Sequence, residues 1–251
     1  MAEKNVKLVI EYDGTAYHGW QKQSEDRTIQ GELAKAIQKI TRREVKIQGA
    51  GRTDAGVHAL GQVANFRIEH RMEAERFKPA LNGSLDNDVR VHEAAEVPMD
   101  FHARFDAKWK RYRYLIGLKP SSVYRHQRWY FQQSIDLNKL KRAAESILGE
   151  HDFSAFCVTA SLKEDNKCRI DTAKWRQVGN LLVFEIRGNR FLHHMVRSLV
   201  GGMLNLAVRE PDENSRNLTI ESFRDIIHAP ENERNVFTAP AHGLYLVSVG
   251  Y

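Results

Sequence analysis

The sequence predicts an α+β fold of two ferredoxin-like halves, with a mainly antiparallel sheet, helices packed on it and a cleft between the halves. Each half shows the element order β-α-β-β-α-β, indicated by segments of alternating apolar residues and segments with apolar residues at helical spacing. The two sets of elements meet near residue 103, although no sequence repeat relates them. We therefore expect one domain over residues 1–103 and a second over residues 104–251.

The first half begins with a strand at residues 6–12, which alternate and are rich in β-branched side chains. Thr28 is expected to cap the following helix, because Leu33, Ile37 and Ile40 then recur at helical spacing. The remaining predicted elements of this half are strands at 45–50 and 62–68, a helix at 73–81 and a strand at 89–97.

The second half follows the same order. Its predicted elements are a strand at 107–118, a helix at 137–148, strands at 172–178 and 181–187, a helix at 192–208 and a strand at 244–249. The first of these helices is expected to bury Leu148 at its end, and the tight turn Gly179-Asn180 joins the two middle strands. A further helix at 220–227 and a loop containing Pro230 form an insertion before the last strand.

Composition narrows the class of protein. The 251 residues are 42% hydrophobic, and 38 Lys and Arg against 32 Asp and Glu give a net charge of +6, which is compatible with a polyanionic partner. The first five residues contain no apolar run, so we expect no signal peptide. The most apolar helical segment contains His193, His194 and Arg197, which argues against a membrane span. Cys157 and Cys168 lack Cys-x-x-Cys spacing, so we expect neither disulfides nor structural zinc, and a cytoplasmic location.

A glycine-rich connection at residues 48–59 is the first candidate functional segment. It carries Arg52 and Asp54 among small residues, which allow sharp turns and the close approach of another molecule. The second half joins its corresponding strands with two residues, whereas this connection uses about a dozen, and loops longer than their topology requires tend to carry function. The alternative is an ordinary hairpin connection with a surface Arg-Asp pair.

The basic charge is concentrated at residues 104–128. This segment interleaves aromatic residues with eight Lys and Arg against the single acid Asp106, a combination suited to single-stranded or looped RNA. On a strand, Tyr112 would share one face with Lys110, while Arg111 and Arg113 would lie on the other. The alternative is a sheet whose long basic side chains cover apolar surface.

Several motifs together resemble the bacterial tRNA pseudouridine synthase A family, and they extend over essentially the whole chain. The motifs are Tyr12-Asp13-Gly14-Thr15 with Tyr17 and Gly19-Trp20-Gln21, Gly51-Arg52-Thr53-Asp54-Ala55-Gly56-Val57-His58-Ala59, Lys110-Arg111-Tyr112-Arg113-Tyr114, Phe191-Leu192-His193-His194-Met195-Val196-Arg197 and Thr238-Ala239-Pro240-Ala241-His242-Gly243-Leu244. One departure is Asn235-Val236-Phe237, where family members often carry smaller residues; it concerns the shape of the last loop, not the chemistry.

The resemblance implies conversion of uridine to pseudouridine at positions 38, 39 and 40 of the tRNA anticodon stem-loop. It also implies a homodimer, with no cofactor and no metal. By match to the motifs, Asp54 would be the catalytic nucleophile and Tyr112 the aromatic residue at the target base. Arg197 would pair with Asp54, and Arg52 would assist the base as it moves into the site.

Other residues leave alternatives open. Arg169 is a candidate for substrate binding, through a phosphate or a pairing near the cleft. His58 could orient the Asp54 loop or be a surface imidazole, and a metal-dependent hydrolase using His193 and His194 is disfavoured because neighbours on a helix point about 100° apart. The main competing function is a non-catalytic RNA-binding protein of paired ferredoxin-like modules.

Overall fold

The computed structural model describes residues 2–209, 219–228 and 237–251. The chain divides into two compact units, and each is described by itself. Met1–Lys108 and Tyr245–Tyr251 form the first unit, and Trp109–Leu244 forms the second. The expected domain division at residue 103 and the cleft between the halves stay predictions.

The first unit starts with the predicted order of elements, and its strand 89–97 has the predicted bounds. In chain order the elements are β1 Glu3–Tyr12, α1 Ile29–Thr41, β2 Gln48–Gly49, β3 His58–Glu69, α2 Phe77–Asn82 and β4 Val89–Val97. Thr28 caps α1 as predicted, since its side-chain oxygen accepts a hydrogen bond from the backbone N–H of Gly31. The prediction of a strand over 45–50 was wrong in extent, because only Gln48 and Gly49 pair with β3.

The second unit keeps the predicted order up to the last strand and adds two short strands. Its elements are β5 Trp109–Gly117, β6 Trp129–Tyr130, α3 Leu137–Ser146, β7 Gly149–Asp152, β8 Lys167–Val178, β9 Leu181–Gly188, α4 Met195–Ala207 and α5 Ile220–His228. The last strand of the chain, β10 Leu244–Gly250, belongs to the first unit except for its first residue.

The sheet of the first unit has the strand arrangement of a ferredoxin-like fold. The strand β1 lies between β3 and β4 and runs antiparallel to both. On the other side of β3, the short β2 pairs antiparallel and β10 pairs parallel, with Tyr245 opposite His58 and Leu246 opposite Ala59. Two segments therefore share the side of β3 that a single longer strand would occupy.

Helices α1 and α2 cover one face of this sheet. Alternate residues of β1, among them Leu8 and Ile10, are fully buried, as the alternating sequence predicts. Phe66 of β3 packs edge-on against Phe77 of α2, with ring centroids 5.4 Å apart, and Leu33 of α1 is fully buried. This layer fixes the strands from which the loops described below extend.

In the second unit β9 lies between β5 and β8, and β7 extends the sheet on β8; these pairings are antiparallel. Trp175 of β8 stacks on Phe184 of β9 at 4.8 Å, and its ring N–H points to the sulfur of Met203 in α4. The face that carries these aromatic residues is therefore the face on which α4 packs. The α+β class and the mainly antiparallel strand pairing are confirmed in both units.

Some predicted details were wrong. Leu148 is 41% exposed, because α3 ends at Ser146 and the chain turns into β7. The helix predicted from residue 192 begins only at Met195, after His194 adopts a left-handed backbone conformation with φ of 66°. Pro230 and the family departure at Asn235-Val236 lie outside the described residues.

Within the described part of the chain, no helix combines the length and apolar character that crossing a membrane would require.

Candidate active site

The loop that carries Asp54 comprises residues 50–57, between β2 and β3. It is shorter than the sequence predicts, because His58 and Ala59 already belong to β3. Thr53 is buried, Asp54 is half-buried and Arg52 is exposed. The loop is therefore anchored at Thr53 and presents one partly accessible carboxylate beside an accessible guanidinium.

The segment from Tyr17 to Trp20 holds this loop through its backbone. The Trp20 N–H donates to the Thr53 carbonyl at 3.0 Å, and the Gly56 N–H donates to the Tyr17 carbonyl at 3.3 Å. These two hydrogen bonds lie on either side of Asp54 in the sequence. They fix the backbone that positions its carboxylate.

Close packing at these hydrogen bonds requires glycine at position 19. Gly19 has φ of 86°, and a Cβ added to it would lie 2.6 Å from the Thr53 carbonyl oxygen. Both facts exclude an ordinary side chain, one through backbone strain and the other through contact with a fixed backbone atom. The glycine of the Gly-Trp-Gln motif is thus required by the position of the Asp54 loop.

Buried side chains of the strands support the loop from below. The Tyr12 hydroxyl lies 2.8 Å from Oγ1 of Thr53, and the Gln62 side-chain amide donates to the Gly51 carbonyl at 2.9 Å. Burial raises the pKa of Tyr12 well above its ordinary value, although the hydrogen bonds with Thr53 and Gln62 act to lower it. Tyr12 therefore stays neutral and acts as a support for Thr53.

His58 is a core residue that orients the start of β3, not a surface imidazole. Its side chain is 2% exposed and stacks on Tyr245 of β10 at 4.7 Å. Its Nδ1 accepts a hydrogen bond from the Gly14 N–H at 3.1 Å. A Cβ on Gly14 would lie 2.0 Å from the Val57 carbonyl oxygen, so this approach also needs glycine.

A charged cluster fixes the Tyr17 segment in turn. The Tyr17 hydroxyl donates to the Asp88 carboxylate at 2.6 Å, and Arg27 donates to the other oxygen of the same carboxylate at 2.9 Å. The Arg27 guanidinium also lies over the Tyr17 ring, 4.2 Å from its centroid. Burial and then Asp88 raise the pKa of Tyr17, which keeps the hydroxyl protonated as a donor.

In the second unit, Tyr112 lies on β5 with its side chain buried. It is 7% exposed, and its ring meets Phe191 edge-on at 5.0 Å between centroids. Residues 112 and 114 are buried and Arg111 is exposed, so the predicted alternation of β5 is confirmed. The packing against Phe191 fixes the orientation of the ring.

Arg197 lies in the first turn of α4 and is half-buried. Its Nε donates to the Ala239 carbonyl at 2.8 Å, and the Ala239 N–H donates to the Arg197 carbonyl at 3.1 Å. The Tyr114 hydroxyl donates to the neighbouring Pro240 carbonyl at 2.6 Å. Burial raises the pKa of Tyr114, although the positive charge of Arg197 acts to lower it. These bonds hold the Arg197 side chain in one orientation.

Arg169 is exposed on β8 and pairs with Asp171 at 3.2 Å. Tyr112 lies opposite Ile186 on β9, while Ile170 lies opposite Gly188, so Tyr112 and Ile170 share a face. Since neighbouring residues of a strand alternate between faces, Arg169 lies on the other face from Tyr112. The structure therefore does not bring these two predicted substrate-binding residues together within the unit.

His193 and His194 precede α4, so the helical geometry that disfavours their sharing a metal does not apply to them. Their ring centroids are 4.5 Å apart, and the Oγ of Ser161 lies 2.9 Å from the Nδ1 of His193. The objection from the helical spacing of these two residues was wrong, because it assumed a helix beginning at residue 192.

The sequence pointed to Arg52 and Asp54 as candidates but gave no role at the site to Tyr12 or Gln62. The cross-strand register explains this omission. The pairing of β1 with β3 shifts between Ile10 and Tyr12, and the shift places Tyr12 opposite Ala59. Only that pairing places the Tyr12 hydroxyl beneath Thr53. The nearest signal in the sequence was that residues 12–15 form part of a motif.

Comparison with known proteins agrees along nearly the whole chain. The sequence profile of a family described as tRNA pseudouridine synthase matches residues 8–106 and 143–251. The tRNA pseudouridine synthase A of Acetivibrio thermocellus is 43% identical over 250 residues, which cover 99% of this chain and 100% of that protein. That of Caldicellulosiruptor saccharolyticus is 40% identical over 99% of this chain and 100% of its own length. That of Brachyspira hyodysenteriae is 39% identical over 96% of each chain.

The charged cluster gives a first prediction. The substitution Tyr17→Phe keeps the ring under Arg27 but removes the hydrogen bond to Asp88, so the free energy of unfolding should fall by about 1–2 kcal/mol. Urea unfolding measures this. The matched control is Tyr124→Phe at a side chain that is 53% exposed, for which we expect a change below about 0.5 kcal/mol. Equal effects of the two substitutions would show that the Asp88 contact does not stabilise the loop support.

Proposed function

The chain belongs to the tRNA pseudouridine synthase family, and from this premise we propose that it is an isomerase that converts uridine to pseudouridine in tRNA. The observation that carries the proposal is the Asp54 loop, which presents one partly accessible carboxylate on a backbone held on both sides. Such a rigid support is what a reacting group requires. We also propose a cytoplasmic location, where tRNA is available.

We further propose that the target is the anticodon stem-loop, at positions 38, 39 and 40. The support is the resemblance of the Asp54, Tyr112 and Arg197 motifs to the bacterial tRNA pseudouridine synthase A family. The exposed cations and aromatic residues of segment 104–128 suit an RNA loop with accessible bases.

The reaction breaks the bond from ribose C1′ to N1 of uracil and forms one from C1′ to C5, with no net oxidation. We propose that Asp54 is the nucleophile, because a carboxylate can form a covalent intermediate and later leave. Arg197 would pair with Asp54 and orient it, and its bond to Ala239 would keep the guanidinium in place. The Tyr112 ring would hold the uracil while it turns. Its hydroxyl would help C5 lose its proton, and N1 takes up a proton in exchange, so the product is an isomer of uridine.

A uridine in a stem must leave its base stack before it can react, at a cost of a few kcal/mol. Arg52 is suited to assist this step, because it is exposed and lies two residues before Asp54. Arg169 is proposed to bind a substrate phosphate; its position on the outer face of β8 favours a contact away from the base that reacts.

The isomerisation needs neither an electron carrier nor a hydrolytic water, so we propose that these side chains act without cofactor or metal. We also propose that the protein is a homodimer, as the family resemblance implies. Light scattering at micromolar concentration should give twice the mass of one 28.9 kDa chain. A mass of one chain under those conditions would refute the dimer but not the activity.

The nucleophile is tested by Asp54→Asn. We expect pseudouridine formation in unmodified tRNA to fall by at least about a thousandfold, because an amide lacks the nucleophilic charge, while tRNA binding changes little. Chemical mapping of pseudouridine, with and without a chelator, is the measurement. The matched control is Asp100→Asn, at an exposed carboxylate of the same unit.

Each outcome of that experiment has a clear meaning. Appreciable turnover by Asp54→Asn would exclude the nucleophile, and loss of wild-type turnover to the chelator would exclude a metal-free reaction. Wild-type protein that binds RNA without forming pseudouridine would favour the non-catalytic RNA-binding alternative.

Tyr112→Phe separates the ring from the hydroxyl. Phenylalanine keeps the edge-on packing against Phe191, so the ring should stay in place and tRNA should still bind. The rate of isomerisation under single-turnover conditions should fall by about a hundredfold or more, the contribution typical of a proton-transfer group. Tyr130→Phe, at an exposed tyrosine, is the control. An unchanged rate would show that only the ring of Tyr112 matters.

A further inference from the structure

The sheet of the second unit has a second face, turned away from α4, that is strongly basic. On β5, Arg111 and Arg113 alternate with the buried tyrosines. Arg111 lies opposite Arg187 on β9, and Lys174 and Arg176 lie on β8 beside them. We call these five residues the basic face.

Register and burial show that these side chains share one side of the sheet. Arg113 and Lys174 both lie opposite Glu185, from β5 and β8 respectively. The residues that alternate with them, Tyr114 and Trp175, are buried on the α4 side. Arg111, Lys174 and Arg176 are exposed.

The acids in contact with the basic face do not neutralise it. The Glu185 carboxylate forms ion pairs with Arg113 at 2.6 Å and with Arg176 at 3.7 Å. The Asp171 carboxylate forms one with Arg187 at 3.4 Å. Burial opposes ionisation of Glu185, yet Arg113, Arg176 and Arg111 together lower its pKa. Among the residues that the structure describes, the ion pairs of these five cations involve two carboxylates, one of which also pairs with Arg169.

The spacing of the cations favours an extended polyanion over a small anion. They lie on three adjacent strands, separated by about 4.8 Å between strands and about 6.7 Å between alternate residues of one strand. Trp109 lies at the end of the face, and the Arg187 guanidinium is 5.3 Å from its ring centroid. A surface of exposed cations with an aromatic ring at its margin matches a nucleic-acid backbone with neighbouring bases.

We propose that the basic face binds the phosphate backbone of the tRNA substrate, as a contact separate from the residues that carry out the chemistry. The proposal rests on the proposed function, which supplies RNA as the partner. Cations on this face would add affinity and salt dependence, because each phosphate contact releases a condensed counterion. They would leave the chemical step unchanged, since Tyr112 points to the other side of the same strand.

The test is a triple substitution of the most accessible members, Arg111→Gln, Lys174→Gln and Arg176→Gln. The matched control removes three exposed cations from α3: Lys139→Gln, Lys141→Gln and Arg142→Gln. Binding of unmodified tRNA is measured by filter retention over a range of salt concentrations. Thermal unfolding shows whether both proteins fold, and Lys174→Gln alone replaces the triple variant if it does not.

We expect the triple variant to bind tRNA at least about tenfold more weakly near 0.1 M salt, while the control stays within about twofold of wild type. The slope of log K against log salt concentration should be flatter by roughly two to three for the triple variant. For Lys174→Gln alone, we expect a slope flatter by about 0.9. At saturating tRNA, kcat should be unchanged and KM should rise in parallel with Kd.

Affinity and salt slope equal to those of the control would overturn the proposal. So would an altered mass in light scattering with unchanged RNA binding, because the face would then be an interface between copies of the chain. If wild-type protein forms no pseudouridine, the proposed function fails, but the binding comparison still decides whether the basic face contacts RNA.

Discussion

Two backbone hydrogen bonds, from Trp20 to Thr53 and from Gly56 to Tyr17, are the constraint on which the candidate active site depends. They require close approach of the backbone at Gly19 to the backbone at Thr53. The Tyr17 segment can hold the Asp54 loop in place only if that segment is itself fixed. That is why a tyrosine, an arginine and an aspartate far apart in sequence form one charged cluster behind it. A short carboxylate on a loop acquires a defined position only through such successive supports.

Much of the fold could be predicted because local patterns and tertiary packing agree. The strand β4 has the predicted bounds, Thr28 caps α1, and a two-residue turn joins β8 to β9. One error occurs where a distant segment decides. The strand β3 starts early because β10, from the other end of the chain, pairs with His58 and Ala59, and such a partner leaves no local signal.

The candidate site divides in the same way. Arg52 and Asp54 became candidates through residue type and loop length, since accessible functional groups must be chemically distinctive. The supporting residues Tyr12 and His58 look like ordinary strand residues, and their importance comes from cross-strand register. Sequence therefore indicates which groups can react more readily than it indicates which groups hold them.

The strand β5 shows how one sequence pattern can serve two purposes. Its alternation places Tyr112 in an apolar layer, where the ring is held rigidly, and Arg111 on the opposite, accessible face. A buried aromatic ring is suited to selecting and holding one base, whereas exposed arginines are suited to a backbone whose charge is the same at every position. Because the two sets of side chains are fixed to one backbone but face opposite ways, affinity for RNA can change through the arginines without disturbing the packing of the tyrosine.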